Sequence, residues 1–236
     1  MDALLAFAAA LIALRLAGQL ARRWRATRRP ELAAWAWSLA SYAVAAGAIA
    51  WGEAAQWDAR AFRVYYAAGA LLTVPLLGVG SLLLARVRRA GAVGCVVAGV
   101  GIGVSLAMPV HGAFAVHGIP PAQDHLAFAP ARLLAIVFNS AGTVAVVGVA
   151  IRSLRRRPLG NVLIVLGVAA AALGSGLAGL GAGGTAIGIA VGVALLYLGI
   201  TAPNVASLVH GRKRDETVPA SVRRGASPGE TAVDDR

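Results

Sequence analysis

The chain has 236 residues, of which 58% are hydrophobic and only 14% charged, and its mean hydropathy is +0.73; soluble domains run at about 45–50% apolar and about 25% charged. So large an apolar excess leaves too little polar surface to cover a water-soluble core, which excludes an ordinary soluble protein and predicts a polytopic membrane protein. The net charge of +12 does not mark a nucleic-acid partner, because the basic residues form short clusters between apolar runs and no nucleic-acid fold motif accompanies them.

In chain order, seven membrane helices are predicted, forming an all-α bundle over 1–209. Helix one, about 3–20, starts after Asp2 and is followed by Arg22, Arg23, Arg25, Arg28 and Arg29. A signal peptide carries its positive charge before the apolar stretch, so this helix is expected to stay, with its N-terminus outside. Helix two, 32–52, and helix three, 62–85, are joined by a short link with Glu53, Asp58 and Arg60, and Arg86, Arg88 and Arg89 close helix three on the inside. Helix four, 91–110, leads into HGAFAVHGIPPAQDHLAFAP, where Pro120, Pro121 and Pro130 argue against a continued helix.

Helix five, 131–151, ends at Arg152, Arg155, Arg156, Arg157 and Pro158. Between Asn161 and Val209 there is no charge, over a stretch too long for one crossing, so it is divided at GLGAGG into helix six, 161–179, and helix seven, 184–208. Residues 210–236 are polar and without apolar periodicity, which reads as a disordered basic tail.

With the N-terminus outside and the C-terminus inside, all but four of the 22 basic residues fall on the inner side; the exceptions are Arg60, Arg63 and Arg132 outside and Arg15 within helix one. Trp24, Trp35 and Trp37 then lie near inner helix ends and Trp51 and Trp57 near outer ones, the placement of aromatic belts. Arg15 is expected to snorkel to the inner headgroups.

No residue pattern points to catalysis, a metal or a cofactor. The only lysine, Lys213, lies in the tail, so no intramembrane lysine is available for a retinal Schiff base. The four histidines, His111, His117, His125 and His210, lie outside the spans, so none offers an axial haem ligand at membrane depth. His111, His117, Asp124 and His125 fall in one outer link but match no established metal spacing, and they read as an ordinary loop. Cys95 is the sole cysteine and excludes a disulfide or a CxxC site.

Glycines four apart, Gly99 and Gly103 in helix four, Gly179 and Gly183 at the turn, and Gly184, Gly188 and Gly192 in helix seven, predict close helix packing, with a dimer seam as the alternative.

Polar groups at membrane depth are the candidate binding residues, since leaving them unpartnered there is costly. Arg63 and Tyr66 share a face of helix three with Thr73, next to Pro75, and an ion pair between Arg63 and Glu53 is expected across the hairpin. With Arg132 at the start of helix five, Glu53, Arg63 and Tyr66 form a candidate outer ligand site of net positive charge, suited to a small polar or anionic group. Asn139 and Thr143 in helix five and Tyr197 and Asn204 in helix seven are candidates for lining a polar cavity.

Phe62, Arg63, Tyr65, Tyr66, Gly69, Val74 and Pro75 spell FR-x-YY followed by GALL-x-VP. In this the chain resembles a family of uncharacterised actinobacterial integral membrane proteins, which implies a bacterial plasma-membrane location and no particular activity. More loosely it is similar to the seven-helix sensor region of bacterial histidine kinases, although its tail is too short for a kinase domain. The expected function is a non-enzymatic, receptor-like or accessory membrane module, with a small-solute or ion transporter as the alternative. Its expected partners are the bilayer, anionic headgroups at the inner face, and a membrane protein or a second copy of the chain.

Overall fold

The computed structural model describes residues 2–114 and 118–152, together with 160, 162–163, 166–167, 191–192, 194–195 and 198. The GLGAGG turn, the tail 210–236 and most of the predicted sixth and seventh helices lie outside the described residues. Among the described residues every regular element is helical, and five helices are long and apolar enough to cross a membrane: α1 (Asp2–Thr27), α2 (Pro30–Ala55), α3 (Ala59–Leu84), α4 (Ala90–Ala107) and α5 (Phe128–Arg152).

These correspond to the first five predicted spans, with shifted ends. α1 continues past 20 to Thr27 because hydropathy marks the length within hydrocarbon, whereas arginine is a good helix former and carries the helix on into water. α2 opens on Pro30, which suits a first turn whose N–H groups need no partner. α4 stops at Ala107, not 110, because Met108 precedes Pro109 and adopts an extended conformation.

Short links make antiparallel neighbours, so the chain alternates between two ends. Arg22, Arg23, Arg25, Arg28, Arg29, Arg86, Arg88, Arg89 and Arg152 gather at one end, all exposed. The α2–α3 link, the α4–α5 link and the starts of α1, α3 and α5 form the other, aromatic end.

α1 packs along α2 through Ala6, Ala10, Ala13, Ala17 and Leu20, a three-and-four spacing of small residues that lets the backbones approach. Leu4, Phe7, Leu11 and Leu14 face outward, as does Arg15. α2 is central, between α1 and α3. Trp35 is buried against Gly80, where any side chain would collide with the indole, and Trp57 is buried beneath Gly52. The aromatic-belt expectation therefore fails for these two, whereas Trp37 and Trp51 are 68% and 65% exposed and suit it.

α3 and α5 cross at two glycines. A Cβ on Gly78 would lie 2.7 Å from the Gly142 Cα, and one on Gly142 would lie 2.6 Å from the Val74 carbonyl oxygen. α4, by contrast, packs through Gly94 on Val79 and Gly101 on Leu72. Gly99 and Gly103 lie on the other face of α4: among the described residues a Cβ on either would touch nothing within 4 Å. Spacing by four fixed the stripe but not which face of α4 meets α3.

Within α3 the stretch Tyr66–Thr73 is π-helical, flanked by α-helix on both sides. Pro75 has no N–H, so the Ala70 carbonyl, which a π turn would pair with that position, needs another donor. Asn139 Nδ2 of α5 supplies it at 2.6 Å. Ser38 Oγ of α2 donates to the Thr73 carbonyl at 2.7 Å, and Thr73 Oγ donates to the Ala68 carbonyl at 2.8 Å. Three side chains thus satisfy the carbonyls of the widened segment at a depth where water cannot.

A candidate ligand site at the aromatic end

Asp58 starts α3 by accepting from the Ala61 N–H at 2.7 Å, a side-chain cap that fixes the angle at which the helix leaves the link. One turn on stands Phe62, fully buried, with Tyr65 and Tyr66 beside it. Trp57 meets Tyr65 edge to face at 5.8 Å, and its Nε1 donates to Glu53 at 3.2 Å.

The α4–α5 link folds back over this cluster. The His111 N–H donates to the His125 carbonyl at 3.0 Å, and His125 Nδ1 lies 2.9 Å from the His111 carbonyl, which can only accept, so that nitrogen carries the proton. The His125 ring stacks on Phe114 at 4.3 Å and tilts against Phe62 at 5.3 Å. Gly112, at φ +80, makes the turn beside this neck in a conformation other residues rarely adopt. The link is therefore docked at His125 and Leu126, while most of its other described residues are exposed, as in an ordinary loop. Its apolar members Val110, Phe114 and Leu126 join the same cluster and were the signal that it is not a free loop.

The structure places Tyr66 against the start of α5 beside Arg132, with Arg63 one turn before Tyr66 on α3. Tyr66 is buried and its hydroxyl reaches the Ala131 carbonyl at 3.4 Å, next to Arg132. The Arg132 guanidinium lies 5.7 Å from the centre of the Phe128 ring. Arg63 shares the Tyr66 side of α3, and its Nη2 donates to the Met108 carbonyl at 2.9 Å. The expected Glu53–Arg63 ion pair is absent: Glu53 bonds Trp57 on its own side of the link, and the only ion pair among the described residues is Arg29–Glu31 at the arginine end, 2.6 Å. The Arg63 Nε is buried and has no acceptor.

The second candidate set is divided. Asn139 is half-buried and its amide donates to Ala70 and to Ala135, at 2.6 and 2.7 Å. Thr143 is half-buried with no partner for its hydroxyl among the described residues. Tyr197 and Asn204 lie outside the described residues, as does His117. Among the described residues no three His, Cys, Asp or Glu side chains converge on a metal position. His125 and Phe114 were missed as site residues, because only the fold reveals that a histidine fourteen positions from His111 closes a neck with it.

Chemically, the aromatic end holds three guanidinium groups that meet no carboxylate among the described residues, the exposed Arg60 and the half-buried Arg63 and Arg132, the latter two beside the aromatic and aliphatic cluster. The end as a whole balances these against Glu53, Asp58 and Asp124, but the half-buried pair Arg63 and Arg132 favours an anion over a cation, and its surroundings an apolar ligand body over a hydrated one. Comparison with family models, with curated proteins and with solved structures yields no match to this chain. The resemblance of α3 to the actinobacterial family thus stands on its motif residues alone.

Proposed function

We propose that the protein is a receptor-like or accessory membrane module, not a transporter, and that it works through partner proteins or lipids from a bacterial plasma membrane. The observation that supports this reading is the use of the polar groups at mid-depth: Ser38 and Thr73 donate to α3 carbonyls, and Asn139 to one carbonyl of α3 and one of α5, so these groups are tied within the bundle. A solute path needs such groups free to exchange partners with what passes. In the proposed topology the chain crosses seven times, the aromatic end with the N-terminus faces out, and the arginine end faces the anionic inner leaflet.

The test is thiol labelling in intact cells, on a Cys95→Ala background. Asn139→Cys and Thr143→Cys should resist a charged, membrane-impermeant reagent, whereas Asp124→Cys should label from outside. Labelling of Thr143→Cys would reveal a water path and favour the transporter reading. Orientation is checked by reporters: alkaline phosphatase should be active inserted after Asp124 and inactive fused after Arg236. Activity at the second position alone would reverse the topology.

A further inference from the structure

We propose that the aromatic end binds an amphiphilic anion, an oxyanion headgroup on an apolar chain, held by Arg63 and Arg132 against the Phe62 cluster; this rests on reading that end as the receptor face. Arg63 carries the argument. It lies one turn inside α3, where a charged group is expensive, yet its one hydrogen-bond partner is the neutral Met108 carbonyl and its Nε–H is buried with no acceptor. Guanidinium satisfied by one carbonyl is under-used, since its fork of donors matches the two oxygens of a carboxylate or phosphate.

Other ways of supporting the charge are visible elsewhere in this protein and are missing at Arg63. Arg29 has Glu31 at 2.6 Å, and Arg132 has the Phe128 ring at 5.7 Å. Glu53, the carboxylate nearest along the chain on the preceding helix, is turned to the Trp57 indole instead. The structure thus leaves a cation bonded to Met108 and flanked on α3 by Phe62 and Tyr66, all three members of one buried, mostly apolar cluster, which suits a headgroup followed by a hydrocarbon chain better than a small hydrated anion. Tyr66 places the second cation near the first, because its hydroxyl contacts Ala131, the neighbour of Arg132. Two sources share this chemistry, a membrane lipid of the outer leaflet and a free fatty acid.

The experiment uses full-length protein in dodecyl maltoside, which carries no charge, and reads thermal unfolding and amide exchange at 108–114. Dodecanoate and short-chain phosphatidylglycerol are titrated in separate arms, with dodecanol and acetate as controls for the chain alone and the oxyanion alone. One or both amphiphilic anions should raise the Tm saturably and slow exchange near Met108, and whichever acts at the lower concentration identifies the source. Arg63→Gln keeps a donor for the Met108 carbonyl, so it should fold, but it should weaken the response about ten- to a hundredfold. Arg63→Lys should keep part of it, and Arg132→Gln should weaken it less than Arg63→Gln.

Equal stabilisation by dodecanol or by acetate would overturn the proposal, as would an undiminished response in folded Arg63→Gln or no response to either anion in the native chain. None of these results bears on the centre of the bundle, so the receptor-like reading stands or falls separately on the labelling of Thr143→Cys.

Discussion

The two ends of the bundle are built on opposite principles. At the aromatic end, side chains point inward and chain segments far apart in sequence are tied together, Phe62 to His125, His111 to His125, and Arg63 to Met108. At the arginine end the described links are tight turns, the arginines point out, and the one ion pair among the described residues joins near neighbours, Arg29 and the buried Glu31. Both ends have a buried core, the smaller one at the arginine end being Leu20, Trp35 and Ala36, but only the aromatic end is also tied by a folded-back link. Loss of a buried side chain in the aromatic cluster should therefore be felt strongly, and loss of an exposed side chain near the arginine end weakly.

The sharpest contrast is between Phe62 and Trp37. Phe62 is 0% exposed at the centre of the aromatic cluster, so Phe62→Ala should cost about 3–5 kcal/mol through lost contacts and the cavity left behind. Trp37 is the larger side chain, but at 68% exposure its replacement by alanine should leave unfolding in detergent nearly unchanged. Equal losses in thermal unfolding would mean that the outward face of α2 is covered by another part of the protein.

Next in size is Asn139→Ala, which leaves the Ala70 carbonyl without a donor at membrane depth and should cost about 1–3 kcal/mol. Asn139→Asp should be worse, because a carboxylate cannot donate to a carbonyl while ionised. Exchange should rise in 66–75 and stay unchanged in α1. A neutral Asn139→Ala substitution would show that the π segment can return to α-helix and pair its own carbonyls.

A smaller and more local effect is expected at the neck of the α4–α5 link. His125→Leu keeps much of the apolar volume but removes the donor to the His111 carbonyl, at about 1 kcal/mol. Amide exchange should quicken from His111 to Leu126 while the arginine end keeps its native rates. Uniform acceleration throughout the chain would show that the aromatic end does not open separately.

These contrasts also mark how far the sequence could be read. Five spans were legible because an uninterrupted apolar run has few other uses, and their errors of a few residues arise where hydropathy and helix propensity part company, as in Arg22–Thr27. That Arg63 and Tyr66 share a helix face and that Arg132 begins α5 at the same end was legible too, since helical spacing and span polarity suffice for it. What stayed hidden depends on side-chain direction between non-neighbours. Glu53 turned to Trp57 because an indole N–H one turn away was closer at hand than a guanidinium across the link. The role of Asn139 required knowing that α3 widens before Pro75, and Gly142 stands at a crossing that no four-residue spacing announces.

The smallest predicted effect concerns the turns of the arginine end. Arg28 and Arg86 sit at φ +55 and +60, immediately beyond or near the ends of α1 and α3, where glycine is the usual residue. The Arg28 N–H closes α1 onto the Trp24 carbonyl at 2.7 Å, and the Val87 N–H closes α3 onto the Leu82 carbonyl at 3.0 Å, bonds that glycine at 28 or 86 would keep. A left-handed conformation costs a residue with a side chain roughly 1–2 kcal/mol, while the added freedom of glycine in the unfolded chain returns about 0.4–1 kcal/mol of that. Arg28→Gly and Arg86→Gly should therefore gain a few tenths to about 1 kcal/mol in neutral detergent. In bilayers rich in phosphatidylglycerol the sign should shrink or reverse, because each basic residue near an anionic surface contributes about 1 kcal/mol. The comparison of the two media isolates what the arginines do at these turns: a gain that persists unchanged in anionic bilayers would mean that this end does not use its charge to hold the inner leaflet.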